Sequence, residues 1–360
     1  MDVIFSMTPT QSQLIKTTVL AILLGLGAGA IGAALTASHL SDYAVSLGQA
    51  SSSPRLSEER PRSTPATYAD AVRVVSESVL PGVAQIYAAG SFAKPIASGA
   101  VLTSDGWMVT RFENPPAAAG MSVIVGGRAH SVLRKTTDPS TGATFLKLDA
   151  SNLSVFAFGG GFDLRPGDQL FAAPSPTALF SESLVESRLS SGPISSDALN
   201  RRLAVADGLL GAFPGSPVVN ARGELVGLVE SGSMGFTTIL PTDGLLVAFN
   251  GLLRSGTVAN PSLGVMSTDL SHTLGLGETE TRGLSQGALL VGAASIKKGG
   301  AAAAAGLVPG DAILSADGIA IDAHRSLDEI VAVRAVGDVL TLRVDRAGKE
   351  IEVKVTLGAM

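Results

Sequence analysis

Residues 98–110 read SGAVLTSDGWMVT, and residues 215–231 read GSPVVNARGELVGLVES. Each stretch holds two short apolar runs separated by turn-forming residues. Runs of this length, bounded by Gly, Pro, Asn or Asp, read as strands. The same pattern recurs outward at VAQIYAA (83–89), MSVIVGG (121–127), FLKLDA (145–150), DQLFAAP (168–174) and GFTTILP (235–241). Many short strands at regular spacing predict antiparallel sheets, closed as a barrel or packed as a sandwich. Upstream, YADAVRVVSESV (68–79) puts Ala71, Val74, Val75 and Val79 on one side of a helix, which Pro81 ends.

The chain has 360 residues, room for two domains with appendages. Its 26 basic and 31 acidic side chains leave a net charge of −5, which argues against a nucleic-acid partner. It has no cysteine, so disulfides, thiolate nucleophiles and cysteine-ligated metals are excluded. The four histidines, His39, His130, His272 and His324, are isolated, with no metal-ligand spacing. No metal and no cofactor are expected.

Residues 17–41 (TTVLAILLGLGAGAIGAALTASHLS) contain no Asp, Glu, Lys or Arg. Roughly 20 apolar residues suffice to span a bilayer as a helix. The expectation is a single-pass inner-membrane anchor after a cytoplasmic segment 1–16, with the bulk of the chain extracytoplasmic, in the periplasm. A cleaved signal peptide ending near Ala28-Gly29-Ala30 is the rival reading. Residues 42–67, rich in Ser, Pro and mixed charge, read as a linker.

In the last hundred residues, GLVPGDAIL (306–314) reads as a turn entering a strand, and Asp317-Gly318 as a further turn. Ser326 is placed to cap a helix in which Leu327, Ile330, Val331 and Arg334 share one face. VLTLRVD and KEIEVKVTL, joined at Arg346-Ala347-Gly348, form a hairpin. Lys297-Lys298-Gly299-Gly300 and the alanines after it read as a loop entering a short helix.

The order of these segments over residues 68–357 resembles the HtrA family of trypsin-like serine proteases. SGAVLTSDGWMVT is similar to the strand pair leading to that family's catalytic histidine. DPSTGATFLKLD (138–149) is similar to the segment of the catalytic aspartate, and GSPVVNARGELVGLVES to the region following the nucleophile. RPGDQLFAAPSP (165–176) and GFTTILPTD (235–243) are further matches. The resemblance implies a mainly β chain: a trypsin-like double β-barrel (68–250), a connector (251–261) and a PDZ domain with two helices (262–357), besides the N-terminal transmembrane helix.

The catalytic positions depart from the family pattern. Glu113 stands at the histidine position and Gly142 at the aspartate position. Counting back from Pro217 puts Pro214 at the serine, while counting forward from Asp207 puts Gly215 there. A serine hydroxyl needs a base to take its proton, and that base needs an orienting carboxylate. Proline also lacks the N–H that an oxyanion hole would use. The expectation is a pseudoprotease with no catalytic residue. Ser216 is the rescue candidate, and a serine endopeptidase of protein quality control with a displaced triad is the alternative. His130, Glu113 and Asp138 read as solvated side chains, and Arg111 with Phe112 as filling of the former cleft.

For the PDZ domain, the resemblance makes Ser262-Leu263-Gly264-Val265-Met266 the carboxylate-binding loop and the strand after it. Gly264 lets successive N–H groups point at one spot. Residues 265–267 would offer an open strand edge to an extended peptide. Leu263 and Val265 would form an apolar pocket for its last side chain. The peptide-binding set is thus Leu263, Gly264, Val265, Met266 and Ser267, with Leu327, Ile330, Val331 and Arg334 flanking. Expected partners are C-terminal peptides or unfolded segments of other proteins, bound as adaptor, sensor or chaperone-like scaffold. The resemblance also implies a homotrimer, or a non-catalytic subunit assembled with an active homologue.

Overall fold

The computed structural model describes residues 65, 67–112, 116–186, 193–206, 212–233, 236–273 and 277–360. The expected membrane segment 17–41 and the position of Glu113 lie outside the described residues. Among the described residues, no helix is long and apolar enough to cross a membrane.

Helix α1 (Tyr68–Val79) forms over the expected residues, with Thr67 accepting the Asp70 N–H as its cap. It buries Ala71, Val75 and Val79, while Val74 is half-buried at the edge. Six strands follow: β1 (Val83–Ala88), β2 (Ala97–Val101), β3 (Trp107–Arg111), β4 (Met121–Val125), β5 (Arg128–Thr137) and β6 (Ala143–Leu148). They close a barrel in the order β1-β2-β3-β6-β5-β4. Neighbours are antiparallel, as short hairpin connections require.

The near-continuous apolar runs of β2, β3 and β6 follow from burial on both faces. In β3, Met108 packs with Ile86, Val123 and Leu146 inside the barrel. Its neighbours Trp107 and Val109 turn to the other side and join a second core with Phe145. In β3, period-two alternation therefore sorts apolar side chains between two cores, not between core and water.

The next elements are β7 (Ala157–Phe158), β8 (Gln169–Ser175), β9 (Ala178–Glu186), β10 (Ile194–Ser195), β11 (Leu203–Ala206), β12 (Pro217–Asn220), β13 (Glu224–Ser233) and β14 (Phe236–Pro241). Strands β12-β8-β9-β11-β14-β13 run in that order, and a β12–β13 pairing brings the path back on itself. This second barrel holds Leu170, Leu203, Val218, Val226 and Ile239. Helix α2 (Asp243–Ser255) packs Phe249 into the shared core. That ring stacks on Phe145 at 5.5 Å and meets Trp107 edge-on at 6.1 Å. Burying an aromatic side chain of this size contributes about 2–3 kcal/mol.

Helix α2 runs to Ser255 and ends at Gly256, whose φ of 75° presents its N–H to the Leu252 carbonyl. The stretch expected as connector thus begins inside a helix. Beyond it come β15 (Pro261–Ser262), β16 (Met266–Asp269), α3 (Glu278–Thr281), β17 (Ala288–Leu289), α4 (Ala301–Ala304), β18 (Ala312–Ala316), β19 (Ile319–Ala320), α5 (Leu327–Ala332), β20 (Val339–Arg346), β21 (Lys349–Thr356) and β22 (Gly358–Ala359). The hairpin β20–β21 turns through Ala347 and Gly348, both at positive φ, as a tight two-residue turn demands.

The main sheet of this part runs β10-β16-β17-β18-β20-β21. Its first strand comes from the second barrel's own chain segment. Residues 265–267, expected as an open edge, are therefore covered. Helix α5 starts after Ser326, but the Ser326 hydroxyl donates to Asp328 and Glu329 in place of capping a backbone N–H. The helix stops at Ala332, so Arg334 lies past its end and pairs with Asp317 at 3.0 Å.

Candidate functional site

The cleft position between the barrels is occupied by side chains of the protein itself. Arg111 ends β3, and its Nη1 donates to the Gly142 carbonyl at 2.9 Å. A Cβ built on Gly142 would stand 2.5 Å from that Nη1. Arg111 Nε and Nη2 donate to Glu230 Oε1 at 3.1 and 2.9 Å. Arg202 approaches the same carboxylate from the segment before β11, with Nε 2.5 Å from Oε2. One carboxylate on β13 thus bridges two guanidinium groups from different elements. Charge-assisted bonds of this kind are stronger than neutral ones, and partial burial limits their screening. Where the resemblance implies a carboxylate, at Gly142, the protein holds a cation.

The loop expected to carry the nucleophile is internally satisfied. Ser98 N–H donates to the Pro214 carbonyl at 3.0 Å, tying the loop to β2. Gly215 N–H donates to the Val229 carbonyl at 2.7 Å, and Ser216 N–H to the Phe213 carbonyl at 3.0 Å. Pro214 has no N–H to offer. The buried Ser216 hydroxyl donates to the Phe213 carbonyl at 2.6 Å, its one hydrogen bond among the described residues. An oxyanion hole requires donors aimed at substrate, and these donors are committed elsewhere.

Two expectations for this region need correction. Asp138 is buried, not solvated, because Ser140 N–H, the Thr141 hydroxyl and the Asn260 amide all donate to it. His130 is half-buried, with Nδ1 3.2 Å from the Asp149 carbonyl. His272 faces Asp269 at 3.1 Å within the C-terminal part. Among the described residues, no group of His, Asp or Glu is arranged to hold a metal ion.

The groove residues come together differently. Leu263, Val265, Leu327, Ile330 and Val331 share one buried core. Met266 is exposed and Ser267 buried, on opposite faces of β16. Strand β10 lies antiparallel on β16, pairing Ile194 with Ser267 and Ser195 with Met266. At the end of this added strand, Asp197 Oδ1 accepts from the N–H groups of Leu263 (3.0 Å) and Gly264 (2.9 Å). The loop read as a carboxylate-binding site holds a side-chain carboxylate of the same chain. Nothing local in the sequence marks Arg202, Glu230 or Asp197 for these contacts. The Ser-Ser-Asp run at 195–197 has no apolar periodicity to mark it as a strand end.

A trypsin-like pair of barrels followed by a PDZ-type sheet defines a known class of architecture. The PDZ domain family matches residues 261–357. A DegP-like probable periplasmic serine endoprotease of Pseudomonas putida (strain W619) is 30% identical over 281 residues, covering 74% of this chain and 57% of that protein. Its counterpart in Halomonas elongata is 28% identical over 289 residues, covering 74% of this chain and 56% of that protein. The chain spans little more than half the length of these relatives. Among solved structures, the HtrA-type protease AlgW with a decapeptide aligns with a TM-score of 0.56 at 21% identity, over 82% of this chain and 99% of that one. The same protease with a tripeptide gives a TM-score of 0.55 at 22% identity, over 80% and 97%. Those two likenesses speak to the fold. Across about three quarters of its length the chain is HtrA/DegP-like, with a trypsin-like part followed by a PDZ domain.

Proposed function

We propose that this protein captures C-terminal or extended segments of envelope proteins through its PDZ groove and does not hydrolyse them. One observation carries the capture: the Leu263 and Gly264 N–H groups already hold a carboxylate, next to a strand that already accepts an added strand. Such a loop-and-edge pair is what recognition of a chain end by β-augmentation needs. The absence of hydrolysis is supported by the Arg111–Glu230–Arg202 cluster, by Gly142, and by the committed N–H groups at 215 and 216. The relatives' descriptions as periplasmic proteins support an extracytoplasmic location for the bulk of the chain.

A second reading is an endopeptidase that uses Ser216. The relatives' descriptions as serine endoproteases favour it. It requires Ser216 to leave the Phe213 carbonyl and find a base within hydrogen-bond reach.

Capture is tested by titrating the full chain with C-terminal peptides ending in an apolar residue, up to millimolar concentration. Saturable binding is expected, weakened at least about tenfold when the terminal carboxylate is amidated, since an amide cannot match a charged acceptor. Failure of every peptide in an apolar-ended library would contradict it.

A further inference from the structure

The segment on the groove is more than a neighbouring loop. It runs antiparallel to β16, in the direction a bound chain end would take. Ser196 N–H donates to the Val265 carbonyl at 2.9 Å, continuing the ladder one residue past Ser195. Ser196 Oγ accepts from the Val265 N–H at 3.1 Å. The next residue supplies the anion. Asp197 Oδ1 takes the Leu263 and Gly264 N–H groups, and Oδ2 takes the Ser262 hydroxyl at 2.6 Å. Gly264 sits at a φ of 80°, the left-handed turn that brings these donors onto one point. A chain ending at residue 196 would place its terminal carboxylate close to where Asp197 now places its own.

The far side of the groove is held as well. Asn200 donates through its N–H and its side-chain amide to Asp328 Oδ2 on α5, at 2.9 and 3.1 Å. Arg201 Nη1 meets Glu329 Oε2 at 3.4 Å, with both side chains almost fully buried. The segment thus spans from the edge of β16 to helix α5 and satisfies both.

We propose that residues 193–197 are a built-in occupant of the PDZ groove, with Asp197 standing in for a terminal carboxylate, and that a peptide enters by displacing them. This rests on the capture reading above. A tethered occupant competes at high effective concentration. It lowers the apparent affinity for an outside peptide by the fraction of molecules whose groove is open.

The test compares wild type with Asp197→Ala and with Ser196→Pro, which removes the N–H given to Val265. Unchanged thermal melting of the protease-like part identifies folded variants. The probe is fluorescein-labelled Gly-Pro-Ile-Ser-Val, which copies residues 192–195 and ends in an apolar residue with a free carboxylate. Expected are binding at least about tenfold tighter in both variants and at least about tenfold faster amide exchange at Leu263 and Gly264 in Asp197→Ala without peptide. Equal, measurable affinity in all three proteins overturns the occupant and leaves capture standing. Absence of binding in all three, with exchange accelerated, overturns capture and the competition with it.

Discussion

Gly215→Ser is expected to lower stability by about 2–5 kcal/mol and to create no reactive serine. Counting from Asp207 makes Gly215 one of two positions expected to correspond to the family's nucleophile, and its φ is 77°. A side chain there incurs roughly 1–2 kcal/mol for the left-handed backbone. The larger cost is steric. A Cβ would lie 2.6 Å from the Arg111 backbone nitrogen, and closer still to the Thr110 hydroxyl and the Ser98 carbonyl. Two of those three atoms are main chain of β2 and β3 and cannot rotate away. Forcing atoms into a packed core typically costs about 1–3 kcal/mol, and more where backbone must shift. Urea unfolding of the variant checks this through a lower midpoint at an unchanged slope. A variant within about 1 kcal/mol of wild type that also labels with a fluorophosphonate would show that the loop opens far more readily than its hydrogen bonds imply.

Asp243→Asn is expected to remove a pH-dependent penalty of about 3 kcal/mol. Asp243 opens α2 and is buried, and burial pushes its carboxyl up from 3.8 to about 6, against the pull of the Phe162 and Gly161 N–H groups. Its Oδ1 is buried with no hydrogen-bond partner. Because the native pKa lies above the unfolded one, the native state holds the extra proton between about pH 4 and pH 6. Stability from this group is therefore full below pH 4 and is lost as pH rises through 6. Asparagine does not titrate and still offers an oxygen to Gly161 and Phe162. The difference in unfolding free energy between variant and wild type should move in the variant's favour from pH 4 to pH 7, by about 1.4 kcal/mol per unit at most. Parallel curves across that range would mean that Asp243 is not held at a raised pKa.

Much of the architecture was legible because turn residues and apolar runs agree locally. Helix α1 and the β20–β21 hairpin formed on the residues that spacing and turn chemistry indicated. Features set by distant residues were not legible. Asp138 reads as a surface carboxylate until Asn260 arrives from 122 positions away. Arg111 and Glu230 are 119 positions apart, so nothing local announces their pairing. Strand β10 has two residues and owes its conformation to the edge of β16, not to its own Ser-rich sequence. Arg334 continued a helical face on paper, but α5 ends two residues earlier. The residue types at the positions expected to be catalytic, in contrast, are readable from the sequence alone: glycine at 142 and 215 and proline at 214 carry no side-chain group that moves a proton.

The most direct test of the account is hydrolysis by the full chain. Purified protein is incubated with unfolded casein over a range of enzyme concentrations, beside Ser216→Ala prepared identically. Peptide release at the level of buffer, the same for both proteins, is the expected result. Release that rises with protein concentration and vanishes in Ser216→Ala would contradict the account and assign this chain an active serine.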